Sequence, residues 1–177
     1  VSLTWIAEQL DCDLLGDDLT IKGVSTDTRT IKQGDLFIAL VGPNFDGHSF
    51  VADAISKGAT AVLVDHPVTD EVSQLVVSDT RIGLGQLGAA IKQKSAPKTV
   101  ALTGSSGKTS VKEMLAAILS QKGKVLATQG NFNNDIGCPL TLLRLEQDHE
   151  YAVIELGANH IGEINYTSNL VKPDVAL

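Results

Sequence analysis

Residues 100–113 read Val-Ala-Leu-Thr-Gly-Ser-Ser-Gly-Lys-Thr-Ser-Val-Lys-Glu, an apolar strand that passes through a turn of small residues into Lys-Thr and an amphipathic helix. A strand feeding straight into a helix needs a parallel strand to return to, so this stretch commits its part of the chain to an α/β layer fold. It also carries chemistry. Gly104 and Gly107 allow consecutive backbone N–H groups to point at phosphate oxygens, and the helix that follows adds the positive end of its dipole. Lys108 is placed to neutralise the β- and γ-phosphates of a nucleoside triphosphate, and the Thr109 hydroxyl to ligate Mg²⁺. The first glycine of the common G-x-x-x-x-G-K-[ST] pattern would fall at Leu102, so this loop is a shorter variant, T-G-x-x-G-K-T, with Ser105, Ser106 and Ser110 in and beside it. A turn that only joined a strand to a helix would need neither the lysine nor the hydroxyl after its second glycine.

From Pro97 the order reads strand (99–102), phosphate loop, helix (108–121), strand (125–127), helix (139–145), strand (151–156), helix (about 162–170) and an apolar run from Val175. Such alternation predicts a parallel sheet with helices on both faces. In the helix after the loop, Val111, Met114, Leu115, Ile118 and Leu119 form one stripe, expected to be core. The first segment differs. It reads as short strand-like runs between turns: an amphipathic 4–10, then 19–24, 35–40, 61–64 and 75–77. A helix from an N-cap at Ser49 to Lys57, stopped by Gly58, interrupts them, and Asp79 or Thr80 caps another that runs to about Lys94. The expected fold class is α/β, a small mixed α/β domain over residues 1–82 followed by the first part of a parallel-sheet P-loop ATPase domain over 83–177. The sequence stops inside what reads as a further strand, so the second domain is expected to be incomplete.

The net charge of −7 is unevenly spread. Residues 1–82 hold 5 Lys and Arg against 13 Asp and Glu, while 83–177 hold 9 against 8. Such an acidic first half argues against a nucleic-acid partner, since phosphate backbones are bound by clustered Lys and Arg. No apolar run approaches the roughly 20 residues that cross a bilayer, and no basic-then-apolar leader opens the chain, so a cytoplasmic monomer without membrane insertion is expected. Cys12 and Cys138 lack a metal-ligand spacing and read as free thiols, Cys138 a buried one.

Glu155 ends the strand Tyr-Ala-Val-Ile-Glu, and ligands of open α/β sheets gather at that end of the strands. It is the expected second Mg²⁺ ligand, with Thr109; the alternative is a solvent-facing glutamate. Gly-Asn-Phe-Asn-Asn-Asp (130–135) brings Asn133 and Asn134 near the γ-phosphate in the functional reading and makes an ordinary Asn turn in the other. His160 follows in a second polar stretch and alone is a weak signal. In the first segment Ser25, Asp27 and Arg29, then Asp46, Gly47 and His48, occupy donor-rich loops at strand ends; Arg29 suits a diphosphate, or else bridges to Asp27 at the surface.

T-G-S-S-G-K-T-S, Gly-Asn-Phe-Asn-Asn-Asp-Ile-Gly and Val-Ile-Glu-Leu-Gly-Ala-Asn-His-Ile-Gly-Glu-Ile, in that order, together resemble the ATP-dependent Mur ligases of peptidoglycan synthesis. With Ser-Thr-Asp-Thr-Arg and Gly-Asp-Leu-Phe-Ile-Ala-Leu in the first segment, they are most similar to the branch that joins D-alanyl-D-alanine to UDP-N-acetylmuramoyl-tripeptide. The resemblance covers essentially the whole chain. It implies a three-domain enzyme of which this chain holds the UDP-binding first domain and the opening of the ATPase domain. It further implies attack of the substrate carboxylate on the ATP γ-phosphate, an acyl phosphate, and displacement of phosphate by the dipeptide amine. It assigns Gly104 to Ser110 to ATP, Lys108 to charge stabilisation, Thr109 and Glu155 to Mg²⁺, and Ser25, Asp27, Arg29, Asp46, Gly47, His48 and His160 to the UDP-sugar substrate. A carbamoylated lysine, a further metal-binding histidine, most of the adenine pocket and the dipeptide-binding domain would lie beyond Leu177, so the 177 residues alone should be inactive. A sister ligase with another amino acid, a UDP-sugar-binding module without turnover, and a plain P-loop kinase or GTPase are the competing readings.

Overall fold

The first element is a helix, α1 (Leu3–Leu10), where residues 4–10 read as a strand-like run. The Ser2 hydroxyl accepts the Trp5 N–H at 3.2 Å and caps the first turn, and the buried Leu3, Ile6 and Leu10 recur at spacings of three and four, a helical period. The computed structural model describes residues 1–69 and 71–177, and these divide into two units, Val1–Leu87 and Gly88–Leu177.

In the first unit α1 is followed by β1 (Asp13–Leu15), β2 (Gly23–Ser25), β3 (Asp35–Ile38), a hairpin of β4 (Val41–Gly42) and β5 (Phe45–Asp46), a 3₁₀ turn (Gly47–Phe50), α2 (Val51–Ser56), β6 (Ala59–Val64) and β7 (Ser73–Val76). The sheet order is β1-β7-β6-β3-β2. β2, β3, β6 and β7 are parallel neighbours, and β1 closes the edge antiparallel to β7. β1 and the hairpin are too short to show a period in sequence. Asp46, not Ser49, caps the turn into α2, because its carboxylate accepts the His48 N–H at 2.9 Å while the Ser49 hydroxyl donates to the Asp46 carbonyl. One core is Phe37, Ala39, Val51, Ala54, Ala59, Val62 and Val64.

The helix α3 (Thr80–Ser95) is capped by Asp79, whose carboxylate accepts the N–H groups of Arg81 and Ile82, while Thr80 turns inward and donates to the Ala39 carbonyl at 2.9 Å. The second unit continues with β8 (Lys98–Leu102), α4 (Lys108–Leu119), β9 (Val125–Ala127), α5 (Gly137–Leu142), β10 (Tyr151–Glu155), α6 (Glu163–Val171) and β11 (Val175–Ala176). Its sheet, ordered β11-β8-β10-β9, is parallel throughout. Ala152 and Ile154 of β10 pack with Ala101, Leu126, Cys138 and Leu142 and with Ile91, Ile164 and Leu170 from α3 and α6. α4 lies along β9 and β10 and adds no side chain to that cluster.

The stripe expected to bury α4 does so only in part. Val111, Met114 and Ile118 are exposed, Ile118 at 60%. At 100° per residue, Lys112 stands about 100° round from Val111, and it is Lys112, 2% exposed, that faces the protein with Leu115 and Leu119 half-buried beside it. The loop before the helix and an inward lysine fix its rotation, so the apolar moment does not.

Candidate nucleotide site and the loops of the first unit

The phosphate loop connects the C-terminal end of β8 to the N-terminus of α4. Gly107 caps α4 at φ +77, a left-handed value that glycine adopts without a Cβ clash, and supplies no side chain to occupy the first-turn N–H groups. Those groups and the positive helix end are therefore presented to an anion. Lys108 Nζ donates to the Gly104 carbonyl at 2.6 Å, so the lysine curls over its own loop. Gly104, Ser105 and Lys108 line a cleft of about 850 Å³ with Asn131, Asn133, Asn134, Gly157 and Asn159.

Glu155 is 3% exposed and pairs in register with Leu102, which puts it one strand from the loop, at the end of the sheet where β8 delivers it. Its two oxygens accept from neutral donors, the Thr109 hydroxyl at 3.1 Å and the Asn133 amide at 3.0 Å. A buried carboxylate held by neutral donors attracts a cation, since burial raises the cost of its charge. The donor set fits Mg²⁺: cis oxygens of an octahedron with 2.0–2.1 Å bonds stand about 2.9 Å apart, close to the Thr109–Glu155 separation. Asn133 also accepts the Gly157 N–H on its carbonyl at 2.7 Å, and a Cβ on Gly157 would lie 2.8 Å from the Asn133 side-chain oxygen, so the two loops touch because residue 157 has no side chain. The Asn134 side-chain oxygen accepts the Gly137 N–H at 2.7 Å and so braces the turn that leads into α5. His160 is exposed, with its N–H on Glu163, and does not line the cleft.

In the first unit the parallel order of β2, β3 and β6 gathers the loops that follow them at one sheet edge. Their polar groups bond to one another. The Ser25 hydroxyl meets Thr30 Oγ1 at 2.8 Å, and the exposed Arg29 guanidinium bonds the Asp27 carboxylate through Nε at 2.9 Å. That bond, with the Arg29 N–H, holds the Asp27 carboxyl down at about 2. His48 is turned inward, 7% exposed in its side chain, with Nδ1 2.6 Å from Asp46, and Gly47 donates its N–H to the Leu40 carbonyl at 2.8 Å. Of the residues expected to face one substrate, the structure brings Ser25, Asp27 and Arg29 together in one loop and Asp46, Gly47 and His48 in another.

Residues 20–123 match the family described as "Mur ligase family, catalytic domain", and residues 102–177 match "Mur ligase middle domain". The chain belongs to the Mur ligase family. The UDP-N-acetylmuramoyl-tripeptide--D-alanyl-D-alanine ligase of Escherichia coli K12 is 53% identical to this Mur ligase chain over 177 residues, all of the chain and 39% of the relative. The structure of UDP-N-acetylmuramoylalanyl-D-glutamyl-2,6-diaminopimelate--D-alanyl-D-alanyl ligase from Acinetobacter baumannii superposes with a TM-score of 0.93 at 47% identity, over 98% of this chain and 40% of that one. A MurF ligase from Thermotoga maritima, solved in complex with ADP, superposes at 0.78 with 31% identity over 86% of this chain and 36% of its own. The chain thus spans about two fifths of the length of the curated relatives it matches.

Three residues around the phosphate loop and Glu155 make bonds that the sequence did not show. Lys112, buried on α4, donates from Nζ to the Thr128 carbonyl at 2.7 Å and pairs with Glu113 at 2.9 Å. Thr128 in turn accepts the Glu155 N–H on Oγ1 at 3.0 Å, and Thr103 Oγ1 donates to the Leu156 carbonyl at 2.9 Å. These bonds lock the phosphate-loop helix, the end of β9 and the end of β10 to one another. A lysine one turn past Lys108 carries no signal in the sequence that marks it as buried. Cys138 is buried and its thiol is pushed up to about 12 by burial, which leaves it protonated and inert at neutral pH.

Proposed function

We propose that this chain is the UDP-binding and ATP-loop portion of an ATP-dependent, cytoplasmic amide ligase that joins D-alanyl-D-alanine to UDP-N-acetylmuramoyl-tripeptide. The observation that carries the reading is the buried Glu155 carboxylate bonded by the neutral Thr109 and Asn133 groups beside a Gly-Lys-Thr loop. Thr109 and Glu155 would hold Mg²⁺, which supplies charge neutralisation to the γ-phosphate. The first-turn N–H groups of α4 and Lys108 bind and orient the phosphates while the tripeptide carboxylate attacks the γ-phosphorus and ADP leaves. Asn133 keeps Glu155 oriented and adds a neutral donor at the edge of the cleft. The dipeptide amine then takes the acyl group and inorganic phosphate departs. The loops carrying Ser25, Asp27 and Arg29, and Asp46, Gly47 and His48, form the surface for the UDP moiety. The names and identity of the relatives support the choice of amine and acceptor.

The test is ADP release by the full-length protein with Mg-ATP, UDP-N-acetylmuramoyl-tripeptide and D-alanyl-D-alanine, each omitted in turn. Release that requires both substrates is expected. Release indifferent to the dipeptide would overturn the proposed amine.

A further inference from the structure

Phe45 is 54% exposed on the hairpin of β4 and β5, and the chemistry above gives it no part. A single exposed phenylalanine is ordinary on a protein surface. Its setting is not: the residue stands opposite Gly42 in the hairpin and directly before Asp46, Gly47 and His48. We propose that the Phe45 ring is the platform on which the uracil ring of the UDP moiety stacks, which rests on the assignment of these loops to UDP.

The argument begins at Gly42. A Cβ there would lie 2.8 Å from Phe45 Cδ1 and 3.3 Å from its Cζ, inside van der Waals contact, so the ring rests against a backbone that carries no side chain. Gly42 does not have a positive φ, so its conformation is open to other residues. It is the ring that requires a glycine at this position. One side of the ring is thereby backed, and the exposed half of the side chain is left to meet a ligand.

The hairpin is also pinned to the sheet. Gly47 donates its N–H to the Leu40 carbonyl, and a Cβ on Gly47 would lie 2.6 Å from that oxygen, so the turn closes on the chain leaving β3 only because residue 47 has no side chain. Next along, His48 accepts the Asp65 N–H on Nε2 at 3.2 Å and stacks on His66 with ring centroids 4.3 Å apart, which ties the turn to the end of β6. A platform fixed in advance loses little conformational entropy when a planar ligand settles on it.

Ligand chemistry suits the two ends of the surface. A nucleobase presents a flat π-face that stacks on an aromatic ring without needing a hydrogen-bond partner there. The diphosphate has a separate place: β2 and β3 are parallel neighbours, so the loop carrying Arg29, whose side chain is 84% exposed, starts one strand from the loop that carries the hairpin. One strand spacing is about 4.8 Å, within the reach of a nucleoside diphosphate. A phenylalanine that only covered a hairpin glycine would add stability and would be indifferent to the base.

The test is titration calorimetry of the full-length protein with UDP and with dihydro-UDP, whose hydrogenated base keeps its hydrogen-bonding groups but is neither flat nor aromatic, for wild type, Phe45→Ala and Phe45→Tyr. Wild type should bind UDP about 5- to 100-fold more tightly than Phe45→Ala does. It should also prefer UDP to dihydro-UDP, a preference that Phe45→Tyr keeps and Phe45→Ala loses. UDP binding by wild type with an affinity unchanged in Phe45→Ala, or lowered equally for both ligands, would overturn the proposal and leave the assignment of the loops standing. Absence of UDP binding by wild type would overturn that assignment and the proposal with it.

Discussion

Glu155 and Asp27 are both carboxylates at the loop end of a parallel strand, and they are held in opposite ways. Asp27 lies at the surface of the first unit with a guanidinium from two residues away on its oxygens. Glu155 lies inside the second unit with a hydroxyl and an amide. Asp27 is already neutralised by its own chain, so the pair offers a ligand shape and residual hydrogen bonds. Glu155 has its hydrogen bonds satisfied and its charge uncompensated by those partners, so it offers a place for a cation. The contrast shows that a candidate cation site is recognised less by the number of charges than by a buried charge with neutral partners.

The largest effect that could break this comparison is at Lys108. Lys108→Ala in the full-length protein should lower kcat/KM for ATP by about 10³-fold, because a cation acting on transferring phosphate is lost. A loss below tenfold would mean that the loop backbone alone carries the charge. Next comes Glu155→Ala, which should raise the Mg²⁺ concentration for half-maximal activity by about 10- to 100-fold; an unchanged Mg²⁺ dependence would place Glu155 on the same footing as Asp27. Lys112→Met removes the donor to the Thr128 carbonyl and should destabilise the protein by about 1–3 kcal/mol. Thermal unfolding checks this, and a raised Mg²⁺ requirement in the same variant would show that Lys112 holds Glu155 in position through Thr128.

The smallest effect is expected at Arg29. Asp27 is depressed to about 2 by the Arg29 side chain first and its N–H second, so the pair is intact at neutral pH and is lost only as pH falls through that value. Arg29→Ala should raise the Asp27 titration toward the ordinary carboxylate range, with the N–H of residue 29 still holding it partly down, readable by NMR, and leave thermal stability nearly unchanged because both groups are exposed. Binding of the UDP-muramoyl substrate should weaken several-fold. Unchanged binding would leave Arg29 as a surface bridge to Asp27 and nothing more.

The phosphate loop, the alternation around it and the strand-end place of Glu155 were legible because each is local: a few consecutive residues set the turn, the helix start and the strand register. What was misread depends on contacts. Residues 4–10 carry apolar side chains compatible with a short strand, and the Ser2 cap together with burial of Leu3, Ile6 and Leu10 makes them a helix. The stripe on α4 is a true helical period, but the bonds from Lys112 to Thr128 and from Thr109 to Glu155 turn the helix so that Met114 and Ile118 face outward. The competition between Arg29 as ligand and as partner of Asp27 was visible in sequence, and the coordinates show the bridge formed.

By itself the sequence determined the class of fold, the order of elements in the second unit and the loop that meets phosphate. Backbone preferences of glycine, helix caps and hydrophobic period act over a few residues and are written in the chain. The tertiary structure alone decided which residues stand at the buried Glu155 carboxylate and which histidines meet. Lys112 and Thr128 are 16 residues apart, Thr109 and Glu155 46, and His48 and Asp65 17. No local preference specifies such pairs; they exist because parallel strands, closed by buried apolar cores, bring their ends to one edge.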